Sequence, residues 1–126
     1  MSTKKEECFV VCVHENSGFN EANFIQVRDA FIDAHSDYWE FLNPSTFLAF
    51  FLQRKNGQDR GKYLISKIEY LKNNLPSHST VGYGSSLGKL IVPYSLFGKI
   101  KSSPLGTIVN DAMNMARKYS SSAVAG

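Results

Sequence analysis

Cys8-Phe9-Val10-Val11-Cys12-Val13-His14 is an unbroken apolar run, rich in β-branched residues and closed by Glu15-Asn16-Ser17-Gly18. A strand with one wet face alternates apolar and polar residues. This run does not alternate, so it predicts a strand covered on both faces, in the middle of a sheet. Cys8 and Cys12 are four residues apart and share one face of it, roughly 13 Å from each other at about 3.3 Å per residue. That separation is too long for a disulfide. With no further cysteine and no histidine pair at zinc spacing, both are expected to be buried, reduced and free of metal.

Outward from this strand, Asn20 suits a helix N-cap, and Phe24, Val27, Phe31 and Ala34 recur at helical spacing, with Ile25 and Ile32 widening the face. A helix is expected over 21–35. Tyr38–Leu42 and Thr46–Leu52 flank Asn43-Pro44-Ser45 and predict a β-hairpin. After the polar loop Arg54–Gln58, the residues Tyr63, Leu64, Ile68, Leu71 and Leu75 predict a helix over 59–75 that stops at Pro76. Thr80–Val92 is strand-like, punctuated by Gly82, Gly84 and Gly88 and expected to end at Pro93. Lys99–Pro104 is expected as loop or edge strand, and Ile108, Val109, Ala112, Ala116 and Tyr119 mark a last helix. The order is βαββαβ followed by a helix. It predicts an α+β, ferredoxin-like sheet with helices on one face plus a C-terminal helix, as a single domain over 1–119 with a disordered tail over 120–126.

A chain of 126 residues, 43% hydrophobic and 20% charged, can bury one core and lies outside the disordered range. A net charge of +3 does not make a nucleic-acid tail, and no basic, glycine and aromatic run of the RNA-recognition type occurs, so nucleic acid is not expected as a partner. The apolar stretch Phe9–Val13 is too short for a secretion signal, and no run of about 18 apolar residues exists to span a membrane. A cytoplasmic setting without a membrane partner is the simplest expectation.

Several chemical motifs fail in detail. Gly82-Tyr-Gly84-Ser-Ser-Leu-Gly88-Lys89 lacks the spacing of a phosphate loop, because Tyr83 stands five residues before Gly88 and Leu90 follows the lysine. Asp29, Asp33 and Asp37 recur every fourth residue and read as one solvated helix face. His14 and Glu15 close the first strand, but adjacent strand residues point to opposite faces.

The carboxyl-terminal third resembles the class III nucleotide cyclase homology domain. Gly84-Ser-Ser-Leu-Gly88 fits that family's late Gly-x3-Gly, and Gly106-Thr-Ile-Val-Asn110-Asp-Ala112 fits its Gly-x3-Asn-x-Ala at the start of a helix. Ser17-Gly18-Phe19-Asn20 is similar to the Gly-Phe-Thr that follows the first metal aspartate. The resemblance covers roughly residues 9–117. It implies a nucleotide ligand with Mg or Mn, a homodimer, and a site built from Glu15 at the first metal position, with Gly18, Phe19, Gly84, Gly88, Thr107 and Asn110 around the nucleotide. Ser45 falls at the second metal position, Asn114 at the transition-state arginine (with Arg117 three residues on), and Phe41 and Thr107 at the base-recognising pair. Glu15, Asn110 and Arg117 are therefore the catalytic candidates. The pattern implies a non-catalytic, nucleotide-sensing or dimerising regulatory module. The alternatives are residual cyclisation or other metal-dependent phosphoryl transfer, and a protein- or RNA-binding module.

Overall fold

A computed structural model describes residues 2–125, with side chains through Ser120. Its elements are β1 (Ser2–His14), α1 (Glu21–Asp33), β2 (Tyr38–Asn43), β3 (Thr46–Leu52), α2 (Gly57–Asn74), β4 (Gly82–Tyr94) and α3 (Thr107–Ala125). The four strands form one antiparallel sheet in the order β2-β3-β1-β4. This is the α+β, ferredoxin-like arrangement that the βαββαβ order predicts. The two central strands carry the apolar runs: all seven residues of β3 are buried, as are Cys8–Val13 of β1. No helix among the described residues is long and apolar enough to cross a membrane.

The sheet divides the core in two. On one face Phe9, Val11 and Val13 meet Phe47, Phe51, α1 (Val27, Phe31) and α2 (Leu64, Ile68). On the other, Cys8, Val10 and Cys12 meet Phe50, Leu90, Val92 and the small face of α3 at Ala112 and Ala116. The helix added after the βαββαβ unit therefore covers the face that α1 and α2 leave bare. The Asn20 side chain caps α1 by accepting from the Asn23 amide at 2.9 Å.

Three of the boundaries that differ from the sequence reading have a local reason. β1 begins at Ser2 rather than Cys8, because its polar first half pairs with β4 from Ser2↔Tyr94 onward, although β3 reaches only Cys8↔Leu52. The outer half is thus a two-stranded ribbon. α2 begins at Gly57 rather than 59, where the left-handed Asn56 turns the chain beneath the Phe51 and Leu52 carbonyls. β4 runs through Pro93 to Tyr94 because it is an edge strand. The Pro93 carbonyl accepts from Lys101 on the outer side, so the missing N–H also falls on that side and leaves the β1 ladder whole. The 99–105 segment contributes two isolated bridges, Ile91↔Leu105 and Tyr94↔Ile100.

Most of the phenylalanines are core. Phe31 and Phe47 are fully buried and their rings pack at 5.1 Å, and only Phe41 and Phe97 of the nine phenylalanines are exposed. The two thiols lie in the α3-side core, where burial pushes each pKa up to about 12. At pH 8 only about one thiol in ten thousand would then be thiolate, the reactive form. Ellman's reagent should leave both unmodified in native protein over minutes and titrate both in denaturant. Fast native modification would contradict this burial.

Candidate functional site

The end of β1 is clasped to the β2–β3 turn. The Glu15 amide donates to the Ser45 carbonyl at 3.0 Å, the Phe19 amide to the Pro44 carbonyl at 2.9 Å, and the Gly18 amide to the Glu15 carbonyl at 2.9 Å. Gly18 makes the return possible with φ at +84°, a left-handed conformation that costs glycine little. Two positions thirty residues apart in sequence, Glu15 and Ser45, thereby become neighbours at one end of the sheet. Phe19 faces inward, its ring set edge-on against Phe47 at 5.3 Å and Phe41 at 6.4 Å. It anchors the loop.

Glu15 is only 4% exposed. One of its carboxylate oxygens accepts from the Thr80 hydroxyl at 2.6 Å and the other from the Ser17 hydroxyl at 3.3 Å. Its charge also acts on Lys72 and His78, on the α2 side of the sheet. His14, the preceding residue, faces the other way. Its ring bonds Thr46 Oγ1 at 3.1 Å and Asn16 Oδ1 at 2.9 Å, so it makes no acid–base pair with Glu15. The Ser120 hydroxyl donates to the Thr80 carbonyl at 3.0 Å and accepts from the Asn16 amide at 3.3 Å, which ties α3 to the same cluster.

His78 is buried, with Nε2 against Gln26 Oε1 at 2.5 Å and Nδ1 unpartnered. Burial lowers its pKa from 6.5 and Glu15 opposes the shift; His14 is lowered too, by burial first, with Arg117 adding to the effect. The sign follows directly. When the folded pKa lies below the unfolded one, the unfolded chain takes up the proton first as pH falls, so stability decreases from pH 6.5 downward. Chemical denaturation at stepped pH should show this acid limb, and His78→Gln should make it shallower. A limb equal in slope in the variant would remove His78 as its source.

The α3 candidates lie elsewhere. Thr107, Asn110, Asn114 and Arg117 are all exposed, and Arg117 reaches Asn114 Oδ1 at 3.4 Å. Arg117 acts electrostatically on Cys12 and His14, which places it on the α3 side of the sheet. The structure brings Glu15 to Ser45, and the hydrogen bonds of the Glu15 side chain go to Thr80 and Ser17 rather than to Asn110 or Arg117. Gly84 and Gly88 sit beneath α3. A Cβ on Gly84 would stand 2.5 Å from the Ala112 carbonyl oxygen, and one on Gly88 would stand 2.8 Å from Ile108 Cγ2. Both pack against this helix, and Gly84 also lines a cavity at the β4 edge.

A cavity of about 670 Å³ opens beside this end of the sheet, at the β4 edge between α2 and α3. Tyr83, Tyr119 and Met115 give it apolar walls, and Lys72, Glu69 and Asn73 its polar ones. Tyr83 donates to Glu69 Oε1 at 2.7 Å, and its pKa is pushed up to about 12 by burial and then by that carboxylate. Lys72 donates to the Val81 carbonyl, and burial lowers its pKa. With one cation set against one carboxylate, the cavity suits an uncharged aromatic group better than a polyphosphate. Sequence reasoning missed Ser17, Thr80, Ser120 and Lys72. Single hydroxyls in loops carry no period, and Lys72 reads as an ordinary exposed helix residue.

A pair of metals fits these residues poorly. Glu15 is the one carboxylate at the clasp, and both its oxygens already hold hydroxyls. No group of three His, Cys, Asp or Glu side chains suited to a metal exists among the described residues.

The chain matches no protein-family model. No curated protein matches it in sequence. Solved structures do match in fold. A bacterial light-regulated adenylyl cyclase superposes with a TM-score of 0.55 at 16% identity, over 94% of this chain and 41% of that one. The guanylyl cyclase Cya2 gives 0.58 at 11% identity, over 94% and 73%. The monomeric guanylyl cyclase domain of the RhoGC fusion protein from the aquatic fungus Blastocladiella emersonii gives 0.57 at 12% identity, over 93% and 78%. The chain thus spans less than half the length of the light-regulated enzyme.

Proposed function

From the nucleotide cyclase fold that the chain has, we propose that it works as a non-catalytic, nucleotide-sensing and dimerising regulatory module. The observation that carries this reading is the Glu15–Ser45 clasp. It keeps the geometry that sets two strand ends side by side, and it holds one carboxylate where the family resemblance calls for two. Cyclisation needs the 3′-oxygen activated while triphosphate charge is neutralised, and two metals commonly share that work. A buried carboxylate already bonded to Thr80 and Ser17 does not provide for them.

Nucleotide is the ligand class because the fold's relatives act on it and because the cavity beside Tyr83 and Tyr119 offers ring faces and an amide. A dimer is part of this reading because one solved structure of this fold is a dimeric guanylyl cyclase domain. The buried, unlinked thiols suit a reducing, cytoplasmic setting.

The test is thermal unfolding with ATP, GTP and their 3′,5′-cyclic forms, with and without Mg²⁺ or Mn²⁺, alongside sedimentation at micromolar concentration. A nucleotide at 100 times its dissociation constant adds about 2.7 kcal/mol of stability, a shift of several degrees. Stabilisation without turnover, in a dimer, is the expected result. No shift with any nucleotide would remove the sensing role, and a monomer at every concentration would remove the dimer.

A further inference from the structure

The end of the molecule remote from Glu15 has a different character. The outer half of β1 and the end of β4 form a ribbon that β3 does not reach, and the chain reverses there through Ser95-Leu96-Phe97-Gly98. β1 has 13 residues, so this tip stands about 40 Å from Glu15 at ~3.3 Å per residue. The reversal is tightly built. The Ser95 amide donates to the Lys99 carbonyl at 2.8 Å and the Gly98 amide to the Ser95 carbonyl at 3.1 Å, and Gly98 has φ at +75°. The Ser95 hydroxyl accepts from the Phe97 amide at 3.3 Å. What this ordered turn displays is apolar: Leu96 is 86% exposed and Phe97 92%. They are the two most exposed large hydrophobic side chains among the described residues.

Around the tip lie cations. Lys4 and Lys5 lie on the ribbon beside Val92 and Ile91, and Lys99 and Lys101 follow the turn; all four are exposed. The ribbon's carboxylates are Glu6 and Glu7, and Glu6 is held by Arg54 at 2.7 Å and by the Tyr94 hydroxyl. Next to Leu96 a recess of about 300 Å³ is lined by Ser2, Lys4 and Ser95, with Arg54 and Tyr94 turned to Glu6 on its wall.

We infer that this tip docks on an anionic lipid surface, with Leu96 and Phe97 entering the acyl boundary and the lysines lying among the headgroups. Two side chains on a convex turn fall far short of the roughly 800 Å² per partner of an ordinary protein interface. A second copy meeting tip to tip would set one basic collar against another. A membrane surface needs neither a matching pocket nor a large area, and a few apolar side chains with adjacent cations suffice. The contact is peripheral and requires no spanning segment.

The experiment is flotation of the purified chain with phosphatidylcholine vesicles and with vesicles containing about one-third phosphatidylserine, at low and high salt. Binding to the anionic vesicles alone, weakened by salt, is expected. The pair Leu96→Ser and Phe97→Ser should weaken it by about a hundredfold, since each apolar group contributes on the order of tenfold or more. The pair Lys5→Gln and Lys99→Gln should weaken it about 25-fold, at roughly fivefold per cation. All four positions are exposed, so melting temperature should stay within a degree or two in both variants. Absence of binding, equal binding to neutral vesicles, or binding that survives the Leu96/Phe97 pair would overturn the inference. So would a change of oligomeric state in that variant without vesicle binding in the parent, which would make the tip an interface between copies.

Discussion

Incubated with each of the four common ribonucleoside triphosphates and Mn²⁺, the purified protein should form no cyclic nucleotide detectable by mass. The expectation follows from the chemistry of the parts. Ser45 stands at the position of one metal carboxylate, Asn114 at that of the transition-state arginine, and Phe41 and Thr107 at those of the base-recognising pair. Removing one group that stabilises developing charge typically costs about 2–4 kcal/mol of transition-state stabilisation. Three such losses amount to roughly four to nine decades in rate, even before non-additivity is allowed for. Within one copy Arg117 turns to Asn114 Oδ1 at 3.4 Å while Glu15 turns to Thr80. Mn²⁺-dependent cyclic product that vanishes in Glu15→Ala would make this an enzyme and overturn the proposed function.

Gly84→Val should destabilise the fold more than Gly88→Val. Its Cβ would meet the Ala112 carbonyl oxygen at 2.5 Å, Met115 Cβ at 2.6 Å and the Ala116 amide nitrogen at 2.8 Å. Two of those atoms are helix backbone, so no rotamer change relieves the clash and α3 must lift from β4. Overpacking ordinarily costs 1–3 kcal/mol, and forcing a helix off its sheet puts this site at about 3 kcal/mol or above. For a chain of this size that is a fall of about 10 °C in melting temperature. Gly88→Val should cost about 1–2 kcal/mol, because its nearest contact is the side chain of Ile108, which can shift. Equal losses at the two positions would show that α3 does not sit on β4 as described.

The ranking explains what the sequence made legible. The order of elements was readable because β1 and β3 are apolar on both faces and α1 and α2 keep a clean helical period. The glycines at 84 and 88 stood out, and their reading as backbone features rests on the close approach of a helix that no local pattern announces. Which face α3 covers was not legible. Its stripe of Ala112 and Ala116 is weakly apolar, and only the sheet shows that Cys8, Val10 and Cys12 required a cover. At the candidate site, Glu15 and Ser45 could be paired through the cyclase resemblance, and the clasp between them is present. The Thr80 hydroxyl that occupies Glu15 was invisible, because a hydrogen bond across 65 residues leaves no trace in spacing, and the Ser17 hydroxyl two residues away reads as an ordinary loop group. The placing of Lys4 and Lys5 beside the β4 end was not legible either, because it depends on β1 extending back to Ser2.

That extension makes β1 a strand with two lifetimes. From Cys8 to His14 it is flanked by partners on both sides and sealed within two cores; from Ser2 to Glu7 it has β4 alone. A stretch with one ladder partner opens more readily than a buried central strand, which opens only with the whole domain. Amide hydrogens on one continuous strand should therefore exchange with solvent on separate timescales, fast before Cys8 and near the global limit after it. The tip carried by the ribbon could then fray, tilt or be rebuilt by a binding partner while the Glu15 end stays shut. Mechanically, the molecule is a firm body whose outer end is held by fewer ladders than its centre.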